Sequence, residues 1–274
     1  MARRSQRRRS EFKDRSVGVI LIIVGVLLIG LLAGGAWWIR RSTPVLDAET
    51  NCPINGSKVV NVLIFDRSDS ISGQRAQRVR FAVDELKHAA NFGYRFDIYT
   101  FEGDNKTALE PILKICSPGR PEEANEIIQN PEIVRKRYEE RFSSTVDKTI
   151  ESLLRASSRD NSPIIESLRA ATLTSFGPIT EGQAKLHVLL VSDMVQHGAQ
   201  YSQFKADSNF QQLARTPGWA ALRPNLKGAD VEILYLLRPT AKRANVAIQS
   251  RGHQMFWEQL IHDGNGVITK FEPI

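Results

Sequence analysis

The chain is poor in the residues that mark several large protein classes. Two cysteines, Cys52 and Cys116, stand in 274 residues, so one pairing at most is available and a multi-bridge scaffold is excluded. Two free buried thiols remain the alternative. The five histidines, His88, His187, His197, His253 and His262, share no metal-ligand spacing and read as structural or surface residues. There is no Gly-rich phosphate loop, no G-x-S-x-G elbow, no internal repeat and no low-complexity tract. Most of the chain also lacks excess charge. Residues 1–41 carry nine Lys/Arg against Glu11 and Asp14, a net +7 that equals the whole chain's formal charge, so residues 42–274 are neutral. That body has nothing with which to hold phosphates, and no nucleic-acid role is expected.

What the N-terminal end does have is apolar length. From Ser16 to Ile39 no residue is charged, and Val, Ile, Leu and Gly dominate. About 20 residues at 1.5 Å each span a hydrocarbon core. Trp37 and Trp38 close the run, where amphipathic rings favour the interface. Seven basic residues precede it, which places the N-terminus in the cytoplasm and the rest outside the cytosol. A cleaved signal peptide ending at Ala33-Gly34-Gly35-Ala36 is the alternative, but its apolar core would exceed the usual roughly 7–15 residues. The division expected is a basic tail over 1–15, a transmembrane helix over 16–39, a linker over 40–57 and one globular domain over 58–274. In a Gram-negative cell that domain would be periplasmic.

The domain is organised around Val59–Asp66, a nearly unbroken apolar run that stops at Asp66-Arg67-Ser68-Asp69-Ser70. Continuous apolarity without alternation marks a strand buried on both faces. Leu186–Val191 and Val231–Leu237 repeat the pattern, and Tyr94–Phe101 and Val267–Phe271 complete the strands. Leu109–Cys116 reads as an antiparallel edge partner. Helices are expected over 74–91, from Asn130-Pro131-Glu132 to near Ser157, over 164–173, 203–215 and 254–262, with a loop-rich connection over 216–227. In the long helix Val134, Tyr138, Phe142, Val146, Ile150 and Leu153 form the apolar stripe. Trp219 and Trp257 are read as packing residues. Alternating strands and helices predict an α/β fold, a doubly wound and mostly parallel sheet.

Three polar loops follow or face the carboxyl ends of central strands, where such sheets bind ligands. They are Asp66-Arg67-Ser68-Asp69-Ser70, Asn161-Ser162-Pro163 and Ser192-Asp193. Oxygen groups at i, i+2 and i+4 on one loop can converge on a hard cation. An EF-hand is excluded, since its sixth and twelfth positions would be Ile71 and Gln77. A haloacid-type phosphatase would need a second acid where Ser68 stands. Each loop alone could be a turn or a helix cap.

Taken together and in this order, the loops resemble the von Willebrand factor A domain, the I domain of integrins. Its metal ion-dependent adhesion site uses D-x-S-x-S, then a Thr or Ser, then an Asp. Asp66, Ser68 and Ser70 match the first motif, Ser162 takes the usual threonine place, and Asp193 is followed by Met194 where glycine is common. The resemblance covers roughly residues 58–274. It implies a site for Mg²⁺, with Mn²⁺ or Ca²⁺ as alternatives. Ser68 and Ser70 would be direct ligands, and Asp66, Ser162 and Asp193 direct or water-mediated ones. It also implies a protein partner that offers an acidic side chain to the metal, and no catalysis. A metal-dependent hydrolase is the alternative, with Asp69 and Asp160 as the nearby acids available. With the antiparallel third strand of that family, Cys116 and Cys52 would meet at the pole opposite the metal and form a disulfide.

Overall fold

The computed structural model describes residues 20–38, 41, 44–67, 70–101, 109–123, 130–155, 162–204, 209–238 and 248–274. The chain divides into two compact units, residues 1–45 and 46–274. Within the first, α1 (Ile20–Trp38) is, among the described residues, the one helix long and apolar enough to cross a membrane. Its side chains are exposed almost throughout, the state of a helix whose apolar surface has no protein partner.

The second unit holds a six-stranded sheet: β1 (Val59–Phe65), β2 (Arg95–Thr100), β3 (Leu113–Cys116), β4 (Lys185–Ser192), β5 (Asp230–Tyr235) and β6 (Val267–Pro273). Their order across the sheet is β3-β2-β1-β4-β5-β6. All neighbours are parallel except β3, which runs antiparallel to β2 at the edge. This is the mostly parallel, doubly wound arrangement expected from the sequence.

The helices are α2 (Gly73–His88), α3 (Pro131–Lys136), α4 (Ser144–Leu153), α5 (Ile164–Phe176), α6 (Phe210–Ala214), α7 (Trp219–Leu222) and α8 (Arg251–Asp263). They cover both faces, and β1 shows why its sequence is apolar at nearly every position. Val60, Val62 and Ile64 pack with α5, α7 and α8, whereas Leu63 and Phe65 pack with α2 and α4. Burying each such side chain contributes about 1.5–3 kcal/mol, and a strand between two helix layers gains it at every residue. Asn61 is the one polar exception, and its side chain donates to the Arg95 carbonyl (3.4 Å).

The long amphipathic helix forms as one run with a wider middle. Asn130 caps α3 by accepting from Glu132 N–H (3.0 Å), with Pro131 opening the first turn. Residues Arg137–Ser143 then form a π-helix that leads into α4. A stripe in steps of four overruns a 3.6-residue turn by roughly 40° per step. The wider i→i+5 turns absorb that excess. Phe142, Val146, Ile150 and Leu153 are therefore all buried on one face, with Tyr138 packed beside them.

Two expectations are corrected. The helix read over 203–215 shortens to α6. Gln203 is tied instead to the loop after β4: its N–H donates to the Gln196 carbonyl (3.0 Å) and its side-chain oxygen accepts from Gln196 N–H (2.8 Å). Asn209 starts the helix by accepting from Gln211 N–H (2.9 Å). The last helix begins earlier than Gln254, because Ser250 caps it through His253 N–H (3.4 Å).

Residues 46–57 fold onto the sheet edge. Asp47 accepts from Thr50 N–H (2.8 Å), and Cys116 N–H donates to the Thr50 carbonyl (3.0 Å). Cys52 and Cys116 are paired there, with Cα atoms 4.9 Å apart. Cys116 lies opposite Arg95, the first residue of β2, and hence at the amino-end pole of the sheet. A chain with this disulfide is expected to change mobility between non-reducing and reducing gels. Alkylation of both thiols before reduction would contradict the pairing.

Candidate functional site

The strand order fixes where a site can form. From β1 the chain moves to β2 on one side, then returns to β4 on the other, so the sheet's direction of progress reverses between β1 and β4. The carboxyl ends of those two strands open a crevice at this reversal. Asp66 ends β1 and Asp193 follows β4. Phe65 is in register with Val191, and Asp66 N–H donates to the Val191 carbonyl (2.9 Å). Ser162 is brought in by a two-way backbone bridge with His197, its N–H to the His197 carbonyl (3.0 Å) and the reverse (2.9 Å).

Asp66, Ser162, Ser192 and Asp193 are all buried. Asp66 Oδ2 accepts from the Ser162 hydroxyl (2.7 Å) and from the Ser192 hydroxyl (2.9 Å). Asp193 Oδ1 accepts from Val195 N–H (2.9 Å), and its Oδ2 pairs with Arg238 Nε. Burial and the neighbouring Asp66 charge push the Asp193 carboxyl up to about 6, against the pull of Arg238. Two carboxylates thus share one buried corner.

Of the five expected ligands, Asp66, Ser162 and Asp193 come together. Ser70 is exposed, lining with Glu151 and Arg155 a groove between α2 and α4, and no hydrogen bond joins it to the other three. Ser68 lies outside the described residues, as do Asp69 and Asp160. Arg67 turns away toward the Arg155 carbonyl (3.4 Å). Ser192 belongs to the third loop read from the sequence but is not among the ligands expected there. Nor is Arg238; its only sequence signal is a cation directly after the third buried strand.

Met194 has φ of 58°, in the left-handed region where glycine is preferred. Its carbonyl is held by two buried donors, Trp257 Nε1 (2.8 Å) and His253 Nε2 (2.9 Å). His253 Nδ1 meets the Tyr235 hydroxyl (2.7 Å), so a neutral ring with its proton on Nε2 satisfies both contacts. Three residues of β5 and α8 therefore hold the turn that carries Asp193.

No protein-family model matches this sequence, and no curated protein matches it. Some solved structures do. One is a conserved hypothetical protein, BatB, from Bacteroides thetaiotaomicron, at 15% identity and a TM-score of 0.36, covering 80% of this chain and 92% of that one. Another is an aerotolerance-related membrane protein from Bacteroides fragilis NCTC 9343 carrying multiple mutations to serines, at 14% identity and 0.36, covering 78% and 92%. The human COPII-coat protein Sec24c aligns at 10% identity and 0.37, over 76% of this chain and 32% of its own. With TM-scores this low, the fold stands on the chain's own topology.

The donors suit a hard cation. Among the described residues no group of three or more His, Cys, Asp or Glu is placed to hold a metal ion. What converges is two carboxylates and two hydroxyls, an all-oxygen set of the kind Mg²⁺ or Ca²⁺ takes. Asp66, Ser162, Ser192 and Asp193 are the residues that would hold it.

The corner is also sensitive to acid. Burial pushes His253 down to about 4 from its ordinary 6.5. Between these values the unfolded chain takes a proton that the folded one refuses, so the stability His253 provides is full above pH 6.5 and falls as pH drops toward 4. Asp193, raised, works in the opposite sense below about pH 6. Comparing wild type with His253→Gln isolates the histidine. The stability gap between them in urea unfolding is expected to narrow by about 2 kcal/mol from pH 7 to pH 5. A constant gap would contradict a neutral buried ring.

Proposed function

We propose that this chain is a membrane-anchored module whose globular domain stands outside the cytosol, binds a divalent metal, most simply Mg²⁺, and uses it to engage the carboxylate of a protein partner. The observation that carries this reading is the meeting of buried Asp66 and Asp193, with Ser162 and Ser192, at the reversal point of the sheet. A metal there would neutralise the paired carboxylates and keep a position for an incoming oxygen, and Ser68 would be a further ligand on the same loop. The apolar helix Ile20–Trp38 behind a basic tail supports the anchor and its orientation. The Cys52–Cys116 pairing suits a compartment where disulfides persist. The role is binding rather than catalysis.

The test is affinity capture from native membranes with the full chain, in Mg²⁺ or in EDTA, with Asp66→Asn alongside. A partner held in Mg²⁺ and released both by EDTA and by the substitution supports the reading. Capture that ignores both the chelator and the substitution overturns it.

A further inference from the structure

The candidate site already contains a cation. Arg238 follows β5 and pairs with Asp193; the carboxylate is buried (6% exposed) and the arginine side chain is mostly covered (14% exposed). The Arg238 backbone N–H donates to Gln249 Oε1 (2.9 Å). Gln249 Nε2 donates in turn to the carbonyls of Asp193 (3.1 Å) and Leu236 (2.9 Å). One glutamine therefore steadies both the arginine and the backbone of its carboxylate. With Val195 N–H on Oδ1 and Arg238 on Oδ2, both Asp193 oxygens are engaged by donors of the chain itself.

Charge sets the terms on which a metal can enter. Two carboxylates, Asp66 and Asp193, lie near this one guanidinium, and Arg238 offsets the charge of the one it pairs with, Asp193. A divalent ion arriving at Asp193 Oδ2 would meet that guanidinium at contact distance. Like charges are poorly screened in a buried site, and one carboxylate oxygen does not serve both cations. We infer that Arg238 is a built-in counter-ion that competes with the divalent metal for Asp193, so that metal loading requires the arginine to leave this carboxylate. The inference rests on the metal reading proposed above and adds a control on it. Arginine stabilises the metal-free site and lowers metal affinity, which makes the loaded state conditional on metal concentration. An arginine that merely positioned Asp193 for the metal would have the opposite effect on affinity.

Calorimetric titration of the full chain in detergent micelles with MgCl₂ separates these cases, using wild type, Arg238→Gln and Arg238→Lys. The glutamine variant is expected to bind Mg²⁺ about tenfold more tightly than wild type, and the lysine variant, which keeps the charge, close to wild type. Equal or weaker binding by Arg238→Gln overturns the inference and leaves the metal site standing. Absence of binding by wild type and Arg238→Gln alike removes the metal reading and the inference together. A second readout needs only folded wild type: hydrogen exchange at the Arg238 Nε–H, followed by NMR. Exchange is expected to speed up on saturation with Mg²⁺, and unchanged protection would overturn the competition.

Discussion

Trp257→Ala is expected to lower the stability of the globular unit by about 3–5 kcal/mol, the range for removing a fully buried large aromatic. Trp257 is completely buried and packs edge-on against Phe256, with ring centroids 5.4 Å apart. Its indole N–H is one of the two donors on the Met194 carbonyl, so the substitution opens a cavity and also loosens the left-handed turn. For a unit of this size the loss corresponds to a fall of roughly 6–20 °C in melting temperature. Trp257→Phe keeps most of the volume and loses only the hydrogen bond, at about 1–2 kcal/mol. Thermal unfolding of the two variants separates packing from anchoring. Equal effects would show that the hydrogen bond, not the volume, carries the residue.

Asp66→Ala is expected to cost about 2–4 kcal/mol without metal and to abolish any stabilisation by Mg²⁺. Its carboxylate accepts two buried hydroxyls, and each would be left without that acceptor, at roughly 1–3 kcal/mol apiece. Part of the cost is returned, because the charge that raises Asp193 disappears with it. Chemical unfolding in excess Mg²⁺ and in excess chelator checks both halves. A variant as stable as wild type would mean that the hydroxyls find other partners. A variant still stabilised by Mg²⁺ would place the metal elsewhere.

The sheet was legible because burial on two faces leaves a strong mark. β1, β4 and β5 sit between helix layers, so their carboxyl-terminal halves are apolar without alternation (residues 62–65, 188–191 and 233–235), and each run ends where the backbone leaves the sheet. The stripe from Val134 to Leu153 showed the helix but not its π segment, since steps of four fit either helix type at short range. Gln203 hid its tertiary role: two hydrogen bonds to Gln196 outweigh any local helical preference. At the site, Asp66 and Asp193 were legible from strand ends. Ser192 was legible as part of a polar loop but not as a partner of Asp66, 126 residues away. Arg238 was not legible, because its partner Asp193 stands 45 residues away in sequence. Met194 stood out as an unusual residue for its position. Its reason, the grip of Trp257 and His253 on its carbonyl, exists only in three dimensions.

Whether Asp66 and Asp193 belong to a divalent-metal site is decided by direct calorimetric titration of the full chain with Mg²⁺, with Asp66→Asn as the matched control. Saturable binding of one ion per chain is expected in wild type and none in the variant, with the fold of both intact by circular dichroism. A wild-type chain that takes up no Mg²⁺, Mn²⁺ or Ca²⁺, or a variant that binds as well as wild type, would contradict it.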